Sequence, residues 1–429
     1  MNKQTVKVVG GGLAGSEAAY QLLKRGYAVD MIEMRPLKTT GAHKTCDLAE
    51  LVCSNSLKST EPETASGLLK AELALMDCML LDAAKQTKVE AGGALAVDRK
   101  KFSAKVEERL REFPDFRIIR EEFTDFDDTP TIIATGPLTS DVLCEKLKSI
   151  SGGFYFFDAI APIVTDIDMN FAFWGGRYGK GADYLNLPME KDEYLAFYDA
   201  LINAETVKLK DFEGAEVFEG CMPIEVMAKR GVDAIRFGPL KPVGLFHPET
   251  GKKYYAVVQL RKENLGGNSF NMVGFQTNLT FGEQKRVFSM IPALRNAEFL
   301  RFGVMHKNTY VNSPKLLDKG FRVKGEKPLY IAGQLSGVEG YVESILSGLI
   351  AGVNMARELS GKDIIVPPIT TISGALAAHT TACTENFQPM NSNFGILPFI
   401  DCKDKKNRKK EYYKRAMCDI MPFVENLDK

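Results

Sequence analysis

Apolar and polar positions change period within residues 5–33, TVKVVGGGLAGSEAAYQLLKRGYAVDMIE. Val6, Val8 and Val9 form a short apolar run that predicts a buried strand. After the glycines, Ala14 to Arg25 places Ala18, Leu22 and Leu23 on one face of a helix. Gly26 closes that helix, and Ala28 to Ile32 predicts a second strand. Further on, TIIATGP (131–137) is a β-branched strand ending in a glycine turn. KPLYIAGQLSGVEGYVESILSGLIAGVNMAR (327–357) reads as a strand, a glycine-rich turn and a long helix, with Val342, Ile345, Leu346, Leu349 and Val353 at helical spacing. The middle holds strand-rich aromatic segments, GGFYFFDAIAPIV and KKYYAVVQL, and a helical stretch at 189–203. Leu73, Leu75, Met76, Leu80 and Leu81 predict one amphipathic helix containing Cys78, a core thiol. The acidic run Glu121 to Asp128 is a solvated loop before the Thr131 strand.

Strand, glycines, helix, strand is the order that binds a dinucleotide. Gly10 makes the tight turn, Gly12 lets the backbone approach a pyrophosphate, and Gly15 lets helix and strand pack closely. Gly11, Leu13 and Ala14 complete the turn, where the helix N-terminus offers unpaired N–H groups to the anion. Glu33, at the end of the second strand, can accept the ribose hydroxyls. The Ala-Thr-Gly turn with Gly136, and the late turn with Gly333, Gln334 and Gly340, resemble the two returns of the chain to the nucleotide in two-dinucleotide-binding flavoproteins. Gln334 replaces the usual acid there, so its amide and backbone N–H groups are expected to contact ribityl and phosphate. These features favour FAD over a nicotinamide as the tightly held cofactor, and no second G-x-G-x-x-G marks a separate NAD(P)H domain. The expected fold is α/β, a Rossmann-like two-dinucleotide-binding flavoprotein with an inserted α+β domain. Residues 1–150 and 325–429 form the discontinuous FAD-binding domain, and 151–324 the inserted substrate or RNA domain.

Composition narrows the partners. The 429 residues are 45% apolar and 26% charged, with 55 Lys+Arg against 55 Asp+Glu. The balanced total predicts no polyanion partner, yet KDKKNRKKEYYKR (403–415) carries eight basic residues against Asp404 and Glu411. On sequence alone that segment reads as a solvated helical tail. No early run reads as a signal peptide and no apolar stretch approaches the roughly 18 residues that cross a membrane, so a cytoplasmic protein without membrane contact is expected. The eight cysteines show neither CxxC nor CxxxxC spacing, which argues for reduced thiols. His43, Cys46 and Cys53 lack a second ligand pair at metal spacing, so no metal is expected.

Two cysteines stand apart. Cys53 in LAELVCSNSLKS precedes Ser54, Asn55 and Ser56, and Cys221 in FEGCMPIEVMAKRG lies between Gly220 and Pro223, in a turn. Exposed turn thiols near helix starts and lysines can act as nucleophiles. Cys402 and Cys418 read as peripheral.

The segments GGGLAGSEAA, MIEMRP, AELVCSNSLKS, AGGALAVDR, PTIIATGPLTS, FEGCMPIEVMAKRG, FGPLKPVGL, VVGFQTNLTFGEQK, GVMHKNTYVNSP, AGQLSGVEGYVES and NFQPMNSNFG all resemble one family. It is the folate- and FAD-dependent tRNA uracil-5-methyltransferases. The resemblance runs in order from residue 5 to about 395, and the basic tail after 400 is weakly matched. It implies an enzyme in which FAD, reduced by NAD(P)H, takes the one-carbon unit of 5,10-methylenetetrahydrofolate and delivers it as methyl to carbon 5 of a T-loop uridine. Uracil carbon 5 becomes nucleophilic once a thiolate adds at carbon 6, and a base must later remove the carbon-5 proton. By resemblance, Cys53 and Cys221 are the two catalytic thiols; their division of labour stays open, with Cys221 favoured as nucleophile. Arg236, Lys241, Arg261 and Lys262 are candidate phosphate contacts or plain solvated charge. His306, Asn308 and Tyr310 are candidate folate or flavin contacts or structural residues. The same chemistry on large-subunit rRNA and a non-catalytic FAD-binding RNA module are the alternatives. A disulfide oxidoreductase lacks its CxxxxC, and a wobble-uridine flavoprotein would carry a long C-terminal helical domain.

Overall fold

Strand Thr5–Val9 lies at the centre of a five-stranded parallel sheet whose order is Leu329–Ile331, Thr131–Ile133, Thr5–Val9, Ala28–Ile32, Phe116–Ile119. This computed structural model describes residues 3–151, 154–159, 161–179, 181, 183–207, 222–263, 269–325, 327–382, 387–402, 404 and 406–429. Cys221 is outside that set. Val6, Val8 and Val9 are buried in the core, as a parallel strand requires. At the strand's end Gly10 has φ +102°, and a Cβ there would sit 2.5 Å from the Ala134 carbonyl oxygen. No other residue type fits.

The helix Leu13–Lys24 runs from that turn and crosses the long helix Tyr341–Leu359 in direct backbone contact. A Cβ on Gly348 would lie 2.2 Å from the Ala14 carbonyl oxygen, and one on Gly352 2.8 Å from that of Ala18. Small residues on both partners thus let the helices approach closely. The Ser347 hydroxyl also accepts the Gly333 N–H at 2.7 Å, tying the late turn to the helix that follows it.

The single helix expected around Cys78 is two, Ala65–Leu75 and Met79–Gln86. Asp77 takes φ +55° and breaks it. Cys78 is buried in the core as expected but caps the second helix rather than lying inside one. Fully buried Glu17 accepts the N–H groups of Met79 and Leu80, at 3.3 and 3.0 Å, and the Cys78 thiol. The apolar pattern spans the break because both halves pack against the same core cluster.

The chain leaves through Phe154–Ala159 and returns through Met305–Tyr310, which pair as an antiparallel ribbon. Between them, six strands form an antiparallel sheet in the order Phe173–Trp174, Tyr184–Met189, Ala256–Lys262, Phe270–Met272, Ile163–Thr165, Glu298–Arg301. Helix Lys191–Ile202 contributes Tyr194, Phe197 and Leu201 to this region's own core, joined by Phe275 and Phe288. Residues from Val311 to Val323 pack into the first core. The basic tail is a helix, Arg408–Asp419, with Tyr412 and Ala416 buried against that first core, Arg408 and Arg415 half-buried and Lys409, Lys410 and Lys414 exposed, so it is anchored as well as solvated.

Candidate active site

The nucleotide cradle comes directly from the glycine turn. Gly12 caps the first helix without a side-chain hydrogen bond, and nothing lies within 4 Å of where its Cβ would be. The helix start therefore opens onto free space, which suits the pyrophosphate of FAD. Gly136 is open in the same way, and Gly340 starts the late helix, also with no side-chain cap. Glu33 is already engaged: it accepts Gly11 N–H at 2.8 Å and, from Arg35, the backbone N–H at 2.9 Å, Nε at 2.9 Å and Nη2 at 3.0 Å. Burial opposes its charge, but the Arg35 guanidinium outweighs burial and holds the carboxyl below its ordinary pKa. Four donors fill a carboxylate's acceptor sites. A ribose hydroxyl reaches Glu33 only if one of these donors yields. Gln334 likewise donates its amide to Glu339 at 2.7 Å.

Cys53 is half-buried in a loop fixed from both domains. The Tyr341 hydroxyl, at the start of the late helix, accepts the N–H groups of Cys53 and Ser54 at 2.8 and 3.0 Å. Arg99 donates to the Leu51 carbonyl and Arg301 to the Val52 carbonyl. Arg261, from the inserted sheet, donates to Ser54 Oγ at 2.6 Å and Asn55 Oδ1 at 2.9 Å. Asn55 is fully buried and donates to the Val97 and Lys262 carbonyls. Ser54 and Asn55 therefore hold the loop to the antiparallel sheet.

Three guanidiniums thus converge beside one thiol. Glu263 pairs with Arg99 at 2.7 Å. Burial, then the nearby Arg99 charge, press the pKa of Arg301 down, and burial does the same to Arg261. A negative charge on Cys53 favours the charged forms of Arg99, Arg261 and Arg301 alike. The arrangement is suited to an anionic sulfur or an anionic species beside it. Tyr341 is pushed well up, by burial and then by Cys53, so its hydroxyl stays protonated.

Arg99, Glu263 and Arg301 also line a cavity of about 910 Å³ shared by residues of the Cys53 loop region and of the antiparallel-sheet region. Phe281, Phe299 and Phe302 form one wall, and Lys44, Lys100 and Lys101 lie on its rim.

The remaining expected residues divide. Arg261 is neither solvated nor a phosphate contact, because it is 7% exposed and spent on the Cys53 loop. Arg236 lies over the Tyr255 ring at 4.0 Å, and Lys262 pairs with Glu90 at 2.8 Å and sits over Trp174. Lys241 is exposed. Asn308 and Tyr310 are buried, and Tyr310 meets Phe387 edge-on. The His306 side chain lies outside the described residues. Tyr341, Arg99 and Arg301, which contact one loop, and Glu263, which pairs with Arg99, were not foreseen; contacts between distant segments have no signature in local spacing.

A family model described as glucose inhibited division protein A matches residues 5–363. The methylenetetrahydrofolate–tRNA-(uracil-5-)-methyltransferase TrmFO of Natranaerobius thermophilus is 55% identical over 426 residues, covering 97% of this chain and 98% of that protein. That of Bacillus subtilis is 52% identical over 435 residues and is covered, like this chain, to 100%. Among solved structures, Aquifex aeolicus GidA superposes with a TM-score of 0.72 at 16% identity, over 99% of this chain and 74% of that one, a likeness of fold.

Proposed function

Because the chain belongs to the glucose inhibited division protein A family and, within it, to the methylenetetrahydrofolate–tRNA-(uracil-5-)-methyltransferases, we propose that it methylates carbon 5 of a T-loop uridine in tRNA. The one-carbon donor is 5,10-methylenetetrahydrofolate and the reductant NAD(P)H. The observation that carries this reading is 52–55% identity to such enzymes along the whole chain. The half-buried thiol among three arginines, next to the start of the late helix, supports it.

FAD, when bound, would supply the redox chemistry. The Gly10–Gly15 turn and the open helix start would hold its pyrophosphate. Of the two proposed thiols, one adds as thiolate to carbon 6 of uracil, which moves electron density to carbon 5. Carbon 5 then bonds to the donated methylene carbon. The other group removes the carbon-5 proton as the methylene–nitrogen bond of the carrier breaks. A hydride equivalent drawn from NAD(P)H reduces the methylene to methyl as the sulfur–carbon bond breaks and the thiolate returns. Cys53 and Cys221 are the proposed pair, with Cys221 favoured as nucleophile. Arg99, Arg261 and Arg301 stabilise an anion at Cys53, and Tyr341 fixes the backbone that aims it.

The test is to incubate the flavin-loaded protein, methylenetetrahydrofolate and NADPH with unmodified tRNA and, separately, rRNA. Nucleoside analysis should find 5-methyluridine in tRNA. Its appearance in rRNA instead would move the substrate, and methylation from S-adenosylmethionine would remove the mechanism.

A further inference from the structure

The wall of the large cavity is an aromatic series that leads out of the inserted domain's core. Phe288 is fully buried, and its ring lies 6.5 Å from that of Phe299 at 24°. Phe299 faces Phe302 at 5.4 Å and 5°, and Phe302 faces Phe281 at 4.8 Å and 16°. The last ring, Phe281, is 54% exposed. A near-parallel stack ending on an open face is a preformed surface for one more flat ring. Lys44, Lys100 and Lys101 on the rim are exposed, and among the described residues none of them is in an ion pair. Of the anionic lining residues, Glu50 is paired with Arg35, Glu263 with Arg99, and Asp98 accepts the Lys101 N–H; Asp47, half-buried, is the remaining carboxylate of the lining.

A flat ring beside a run of cations is what a nucleotide chain presents in complement: bases on an aromatic face, phosphates on lysines. The same cavity is lined by Arg99 and Arg301, which grip the Leu51 and Val52 carbonyls just before Cys53. A strand lying there runs past the thiol loop. We propose that Phe281 is the stacking platform for an unpaired base neighbouring the target uridine, with Lys44, Lys100 and Lys101 taking the adjoining phosphates. This rests on the proposed action on RNA, and it adds where the RNA strand lies.

The test is binding of a fluorescein-labelled T-arm RNA hairpin to the flavin-loaded protein. Phe281→Ala should raise the Kd by roughly tenfold, within the about 5- to 150-fold that one lost base stack costs. Phe281→Trp should bind as wild type, and its indole should be quenched by RNA over the background of the single Trp174. Lys100→Ala should lower the slope of log Kd against log salt by about 0.7. An unchanged Kd in Phe281→Ala, or an unquenched Phe281→Trp, overturns the platform. So does a KM rise confined to NADPH or methylenetetrahydrofolate, which gives the ring to a co-substrate. Binding is read without catalysis, so wild type that makes no 5-methyluridine sinks the function and leaves this test standing.

Discussion

Asn55→Ala removes a fully buried side chain that joins the two domains behind the candidate thiol. Its NH2 donates to the Val97 carbonyl at 3.1 Å and the Lys262 carbonyl at 2.9 Å, and its oxygen accepts Arg261 Nε at 2.9 Å. A made hydrogen bond contributes about 1 kcal/mol net, whereas a buried group left without its partner costs about 1–3 kcal/mol, more when charged. Arg261 is 7% exposed and keeps its bond to Ser54, so it suffers partial rather than complete loss. Two carbonyls and one guanidinium position together give a destabilisation of about 3–5 kcal/mol. With two cores a global melting temperature would mix events. Trp174 lies in the inserted sheet, and its fluorescence in urea follows that domain. The decisive measurement is a double-mutant cycle with Arg261→Met. Both substitutions cut the same contact, so the double variant should fall short of the sum by about 1–2 kcal/mol. In a background that reports on Cys53 alone, alkylation of that thiol should also quicken. Additivity within about 0.5 kcal/mol, the behaviour of independent sites, would refute the staple.

Three further outcomes are expected. Gly348→Ala places a methyl group 2.2 Å from the Ala14 carbonyl oxygen, so the helices must part; overpacking of this kind costs about 1–3 kcal/mol, and the flavin-to-protein absorbance ratio should drop. Burial raises Glu72 from 4.5 to about 7, although it accepts the N–H groups of Ile372 and Ser373. Its folded pKa exceeds its unfolded one, so its contribution is full below about 4.5 and is lost as pH rises through about 7. Relative to Glu72→Gln, wild type should lose up to about 3 kcal/mol between pH 4.5 and 8 in urea titrations, and parallel pH profiles would contradict this. Cys53→Ala and Cys221→Ala should each retain FAD and lose methylation; full activity in either removes that residue from the mechanism.

Periodicity made the sheet and its helices legible, because Val6, Val8 and Val9 or Val342, Ile345 and Leu349 report burial through spacing alone. The break at Asp77 was hidden: two short helices packed on one core keep the apolar phase of a single long one. What did not show was every contact between distant segments. Arg261 looks in sequence like any exposed basic residue, and only its position opposite Tyr184 in the inserted sheet turns it toward Asn55.

The polarity of Ser54 and Asn55 has the same origin, whereas the Ser56 hydroxyl accepts the Lys58 N–H locally. A loop wedged between two domains meets strand carbonyls and a buried guanidinium, and each buried polar group must find a partner. Short hydroxyl and amide side chains satisfy them, so a structural seam writes the same residues into the chain as a ligand site does. Exposure separates the two readings. Asn55 is sealed and spent on protein partners, whereas Cys53, two residues earlier, is half-buried on a backbone whose N–H groups and neighbouring carbonyls are held from both sides. The polar run therefore works through the thiol's position: Ser54 and Asn55 fix the loop to the antiparallel sheet and leave Cys53 half-buried beside the late helix and three arginines.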